Sequence, residues 1–251
     1  MVLLYRQWDH AIELVLGLEP KLSKVYPLSL VEQKELDSFM KENLYIWQIH
    51  SFKSPMAAPV FFIKKKDSLL RLVQDYCTLN SMTVKNKYLL LLIFKLVSQL
   101  RRARYFTKLD VHWGFNNIHI KPRDEWKATF QTNWGMFKPL VMFFGMTNSL
   151  ATFQTMMNDI FYDLIAEGII VVYLDDILIF TRTEEEHAKA IQQVLQVLQE
   201  NKLFLRLEKC EFCKEWIKYL GLVISENEIS MDLVKVAEVW EWPTLENKTD
   251  I

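Results

Sequence analysis

The 251-residue chain is 51% hydrophobic and 13% aromatic, and its 30 Lys plus Arg nearly cancel its 31 Asp plus Glu, which excludes disordered and collagen-like classes. The longest apolar run, near residues 89–94, is far short of a membrane span, the N-terminus is too short for a signal peptide, and Cys77, Cys210 and Cys213 make no disulfide framework, so a reducing compartment is expected. The near-zero total hides a segregation: residues 51–130 carry a net +10, against −2 for residues 1–50 and −9 for residues 131–251, and such a basic block suits a polyanion.

In chain order, Ser29-Leu30-Val31-Glu32 reads as a capping box opening an amphipathic helix to about residue 42, with Leu36, Phe39 and Met40 inward. Residues 59–64 and 70–74 read as two strands joined by a polar turn, and residues 91–101 as a helix. Tyr105 to Asp110 alternates apolar and polar groups as a half-buried strand does, and it ends on an acid. Further strands are expected near 127–132 and 136–142. From Thr147 to about residue 165, Phe153, Met156, Met157, Ile160, Phe161 and Leu164 recur at helical spacing. Residues 169–174 and 177–180 are β-rich runs separated only by Asp175-Asp176. Thr183-Glu184-Glu185-Glu186 is a second capping box, opening a helix to about residue 201 with Ile191, Val194, Leu195 and Leu198 inward. Short strands at 203–207 and 218–224 follow. Helices interrupting largely antiparallel strands indicate an α+β fold.

Asp175-Asp176 is a poor two-residue hairpin turn on backbone grounds, because such turns favour positive φ and residues like Asn-Gly. It also sets two like charges at the end of a buried ribbon, where desolvation and repulsion both disfavour ionisation. A hard divalent cation would relieve that conflict, and a solvated turn is the alternative. Asp110 also ends a strand, and antiparallel pairing could bring it beside the other two. Acids from two strand ends suit two-metal phosphoryl transfer, although spacing alone does not separate a polymerase from a nuclease.

These residues resemble a known family. Tyr173-Leu174-Asp175-Asp176 is similar to the Tyr-x-Asp-Asp box of reverse transcriptases, and Val172 to Phe180 resembles its form in Ty3/gypsy-type LTR retrotransposons. Tyr105-Phe106-Thr107-Lys108-Leu109-Asp110 resembles the first catalytic block of that family. Phe144-Gly145-Met146-Thr147-Asn148 with Ala151-Thr152-Phe153-Gln154 resembles its nucleotide-pocket block, and Phe62 to Arg71 with Asp75-Tyr76 and Leu79-Asn80 resembles its fingers blocks. Leu207-Glu208-Lys209-Cys210-Glu211-Phe212 and Tyr219-Leu220-Gly221 resemble two later palm blocks. The likeness runs in order from about residue 5 to 247, and wording such as Trp113-Gly114-Phe115-Asn116-Asn117 is similar to fungal members.

The resemblance implies a right-hand polymerase fold, with fingers and a palm whose antiparallel sheet is backed by helices, and a truncated thumb. Residues 1–104 would form an N-terminal extension and fingers, 105–224 the palm with an interleaved fingers segment at about 118–143, and 225–251 the truncated start of the thumb or connection. The implied activity is RNA-directed DNA polymerisation, adding dNTPs to a primer 3′-OH with two Mg²⁺ that Mn²⁺ can replace. Asp110 and Asp175, with the Val111 carbonyl and Asp176, would hold the metal. Lys65 and Arg71 would hold the triphosphate, Phe115 would be the gate against a ribose 2′-OH, and Phe144 and Gly145 would line the pocket. Lys209 would donate a proton to pyrophosphate, and Tyr219, Leu220 and Gly221 would support the primer end. Partners would be an RNA or DNA template-primer and dNTPs, with no membrane, at an intracellular site. A two-metal nuclease is disfavoured by Phe115, Phe144-Gly145 and the fingers lysines.

Several positions depart from the family pattern. Cys77 stands at an arginine, Leu89, Leu91 and Leu150 at prolines, Ser68 at a glycine, His112 at a common arginine, and Trp47, Gln48 and His50 in a segment with Gly, Arg and Pro. Pro→Leu, Arg→Cys and Arg→His are single C-to-T or G-to-A codon changes. They raise the alternative of a decaying, catalytically inactive retrotransposon fragment that folds and at most binds nucleic acid.

Overall fold

The computed structural model describes residues 7–17, 19–20, 22–64, 69–86, 88, 100, 103–226 and 228–241. The chain divides into two compact units, one of Met1–Leu90 with Trp113–Met157, the other of Leu91–His112 with Asn158–Ile251. The helix expected at 91–101 lies outside the described residues except for Leu100, as do Lys65, Ser68, Leu89 and Leu91.

In the first unit, helix α1 (Leu30–Tyr45) opens on the expected capping box: Ser29 Oγ accepts from Glu32 N–H, while Glu32 accepts from Ser29 N–H. Its end is a two-bond left-handed stop. Trp47 N–H donates to Leu44 O and Gln48 N–H to Asn43 O, and Trp47 takes φ 62° to allow both. Strands β1 (Ile49–Ser51), β2 (Ala58–Lys64) and β3 (Leu70–Gln74) are followed by helix α2 (Cys77–Met82). The strand expected at 127–132 starts later, as β5 (Phe130–Thr132), because a 3-10 turn takes Glu125–Ala128, and the one expected at 136–142 is β6 (Gly135–Pro139). The sheet runs β1-β6-β5-β2-β3, with β2 and β5 parallel and the other pairs antiparallel. Leu36 and Met40 of α1 join Val60, Tyr76, Phe130, Phe137 and Phe143 in its core.

The second unit is built on a four-stranded antiparallel sheet, β7-β8-β4-β9, from β4 (Tyr105–Asp110), β7 (Ile170–Tyr173), β8 (Asp176–Thr181) and β9 (Glu211–Lys214). The single helix expected from Thr147 is two, broken at Phe161: α3 (Ser149–Ile160), which belongs to the first unit as far as Met157, and α4 (Tyr162–Ala166) in the second. Helix α5 (Glu184–Glu200) starts on the second capping box, at Thr183 and Glu186, and packs on β4 and β8. Its buried stripe is His187, Ala190, Val194 and Leu198, so Leu195 faces solvent, contrary to expectation. The reason is His187, whose ring nitrogens sit 2.8 Å from Thr107 Oγ1 and 3.0 Å from Thr181 Oγ1, which fixes the His187–Ala190 side of the helix against the sheet in place of the Leu195 side. The expected strand at 203–207 is only a bridge from Leu205 to Val111, followed by a 3-10 turn at Leu207–Lys209. Strands β10 (Trp216–Tyr219), β11 (Leu222–Ser225) and β12 (Ile229–Met231) form a separate sheet before helix α6 (Leu233–Trp240). The architecture is α+β, as expected, and no described helix is long and apolar enough to cross a membrane.

Candidate active site

The acids meet because β4 and β8 pair in register from Tyr105↔Thr181 to Asp110↔Asp176. Val111 N–H donates to Asp175 O at 2.8 Å and extends the pairing one step past the strand ends. The turn is Leu174-Asp175, one residue earlier than the sequence suggested, and Asp176 already belongs to β8. Positive φ is needed only at the first turn position, and Leu174 takes it at φ 55°. A left-handed leucine costs about 1–2 kcal/mol, a strain held in place by the two strands.

Asp110 and Asp176 are thus directly opposite like charges, an arrangement that destabilises a sheet on its own. Burial pushes the Asp176 carboxyl above its ordinary range; Asp175 and Asp110 push the same way, while Lys108 and Lys209 oppose them. Asp110 is buried, and its Oδ1 has no hydrogen-bond partner. Cations approach but do not close on the acids: Arg206 Nε lies 3.7 Å from Asp110 Oδ1, Lys209 Nζ 3.7 Å from Asp110 Oδ2, and Lys108 Nζ 3.9 Å from Asp176 Oδ1. Among the described residues no three His, Cys, Asp or Glu side chains are already arranged to hold a metal ion. The donor set nevertheless fits a hard divalent cation: facing carboxylates, one with a buried oxygen lacking a hydrogen bond.

Lys108 and Arg206 went unnoticed in the sequence. Lys108 was legible, since strand alternation puts it on the face of Asp110. Arg206 was not, because its N–H donates to Asp110 O only after the chain returns past α5. The β10–β11 hairpin turns through Leu220 at φ 49° and Gly221 at φ 80°, the two left-handed positions of a type I′ turn. Tyr219, buried at its base, donates from its hydroxyl to Asp176 O at 3.2 Å. Burial raises the Tyr219 phenol, with Asp176 and Tyr173 adding to it, so the hydroxyl stays a donor.

In the first unit, Asn80, Phe115, Phe144, Gly145, Met146, Thr147, Ser149 and Leu150 line a cleft of about 350 Å³. Asn80 clamps its loop, donating from Nδ2 to Gly145 O and accepting from Thr147 N–H, both at 2.7 Å. Gly145 turns at φ 91°. The Phe115 and Phe144 rings are 5.1 Å apart, and Arg71 Cζ stands 4.0 Å from the Phe144 ring centre. Arg71, Phe115, Phe144 and Gly145 are therefore gathered in one unit, and Asp110, Val111, Asp175, Asp176, Lys209 and Tyr219–Gly221 in the other. Lys65 lies outside the described residues.

Residues 63–224 match the family described as reverse transcriptase (RNA-dependent DNA polymerase). The chain is 33% identical over 226 residues to the transposon Tf2-3 and Tf2-4 polyproteins of Schizosaccharomyces pombe (strain 972 / ATCC 24843), a match covering 90% of this chain and 17% of each relative. It therefore spans about a sixth of the length of those fungal relatives. Among solved structures, the foamy viral protease-reverse transcriptase in complex with RNA/DNA hybrid has a TM-score of 0.83 at 21% identity, covering 94% of this chain and 32% of that one. The same enzyme in complex with dsDNA has a TM-score of 0.84 at 20% identity, covering 96% and 50%. These likenesses show the right-hand fold. The sequence match spans well over half of the chain and includes both acid-bearing strands, and on that ground the chain belongs to the reverse transcriptase family.

Proposed function

We propose that this chain is the RNA-directed DNA polymerase domain of a Ty3/gypsy-type retrotransposon, adding dNTPs to a primer 3′-OH on an RNA or DNA template. The observation that carries the reading is the register of β4 on β8, which sets Asp110 opposite Asp176 with Asp175 in the adjoining turn. Asp110, Asp175 and Asp176, with the Val111 carbonyl, would hold two Mg²⁺, or Mn²⁺ in their place. Such ions, when bound, lower the pKa of an attacking hydroxyl and stabilise the leaving oxygen.

The chain's own groups do the rest. Lys65 offers the triphosphate a point charge and Arg71 a planar fork. Phe115 fills the space a ribose 2′-OH needs, while Phe144 and Gly145 shape the wall beside it. Lys209 delivers a proton to the departing pyrophosphate, and the turn at Tyr219, Leu220 and Gly221 supports the primer end. Residues 1–104 serve as N-terminal extension and fingers, about 118–143 as an interleaved fingers segment, the rest of 105–224 as palm, and 225–251 as the start of thumb or connection.

Primer extension on an RNA template with Mg²⁺ or Mn²⁺ tests the reading. The chain should extend the primer, and Asp175→Asn or Asp176→Asn should cut extension by more than about 100-fold. A folded chain that extends nothing overturns it, and template-primer binding without extension indicates the inactive fragment.

A further inference from the structure

Phe115 is the middle of a column of side chains. One neighbour is Phe144, beside Arg71; the other is Phe153 of α3, whose ring centre is 5.1 Å from that of Phe115. Phe153 is fully buried and does not line the cleft. It also presses on the backbone that carries Phe115: a Cβ on Gly114 would lie 2.6 Å from Phe153 Cζ and 3.0 Å from Cε2. Gly114 lies outside the left-handed region, so what its position requires is clearance and not an unusual backbone angle. The 3-10 turn Gly114–Asn117 is therefore seated on one aromatic ring in two ways, through the backbone of Gly114 and through the side chain of Phe115.

We propose that Phe153 is a positioning residue for sugar selection, fixing how far the Phe115 ring projects into the cleft, with Gly114 supplying the clearance this needs. The proposal rests on Phe115 acting as the gate. A steric gate works at the steep, repulsive wall of the van der Waals potential, so a few tenths of an ångström decide whether one more oxygen fits. A close-packed ring behind the gate prevents that retreat, and a flexible or shorter side chain permits it.

The test uses the full chain on a primer-template, comparing kcat/KM for a dNTP and for the matching rNTP. Phe153→Met keeps most of the volume but not the rigid plane, and Phe153→Leu shortens the support. Each should raise relative rNTP use by about 10-fold. In the Phe153→Leu background Phe115→Ala should add less to rNTP use than it does in the parent, because both act on one wall. Gly114→Ala should lower the melting temperature of the parent and do so far less in Phe153→Leu. If both Phe153 variants lower dNTP and rNTP use in equal proportion, Phe153 is core packing only and the proposal falls while the polymerase reading stands. If the folded parent extends with neither nucleotide, the polymerase reading fails and takes this proposal with it.

Discussion

At the position where α1 ends, the backbone has a requirement that its residue meets badly. Trp47 sits at φ 62° in a double-bonded left-handed stop, a place suited to glycine, and its ring is mostly exposed beside His50. Trp47→Gly should stabilise the protein by about 1 kcal/mol, read as a raised melting temperature; a fall would mean that the indole contributes more than the strain costs. Glycine is also a residue of the related family in this segment, so one departure visible in the sequence has a definite physical cost. Others do not. Cys77 is exposed at the start of α2, and Leu150 is half exposed on the first turn of α3, where loss of a proline or an arginine leaves the core untouched.

At the scale of elements, the second unit holds two tight hairpins joined by the Tyr219 hydroxyl on the Asp176 carbonyl. Tyr219→Phe keeps the buried ring and removes that link. Stability should fall by about 1 kcal/mol and primer extension by about 10-fold, so unchanged extension would show that the two hairpins hold their places independently. Most of the strands, both capping boxes and the approach of Asp110 to the Asp175-Asp176 turn were legible because they rest on alternation, local side-chain bonds and short motifs, whereas the strand expected at 203–207 is a single bridge. The turn register was not, since nothing local announces that Leu174 takes the left-handed angle. Nor was the true buried stripe of α5, which follows from a histidine satisfied by two threonines on separate strands.

For the whole molecule, each unit carries a buried neutral histidine. Burial pushes the His10 imidazole down to about 4, against an opposing pull from Asp124, and burial also lowers His187. A folded-state pKa below the unfolded one means the stability from His10 is complete above about pH 6.5 and is lost as pH falls toward 4, at most about 3 kcal/mol. Hydrogen exchange of first-unit amides should therefore accelerate over that window, and His10→Gln should flatten the dependence; an unaltered slope would assign the acid sensitivity elsewhere. The chain passes from one unit to the other at residues 90–91, 112–113 and 157–158. On a ribosome adding about 5–20 residues per second, β4 emerges roughly 3–13 s before β8, the first of the two strands it pairs with. For that interval an apolar strand bearing Phe106 and Leu109 waits with open edges, and neither unit can close from an uninterrupted stretch of nascent chain. The interleaving that builds the acid-bearing pair of β4 and β8 from distant stretches thus exposes the protein to aggregation while it is being made, and yield should rise with chaperone supply.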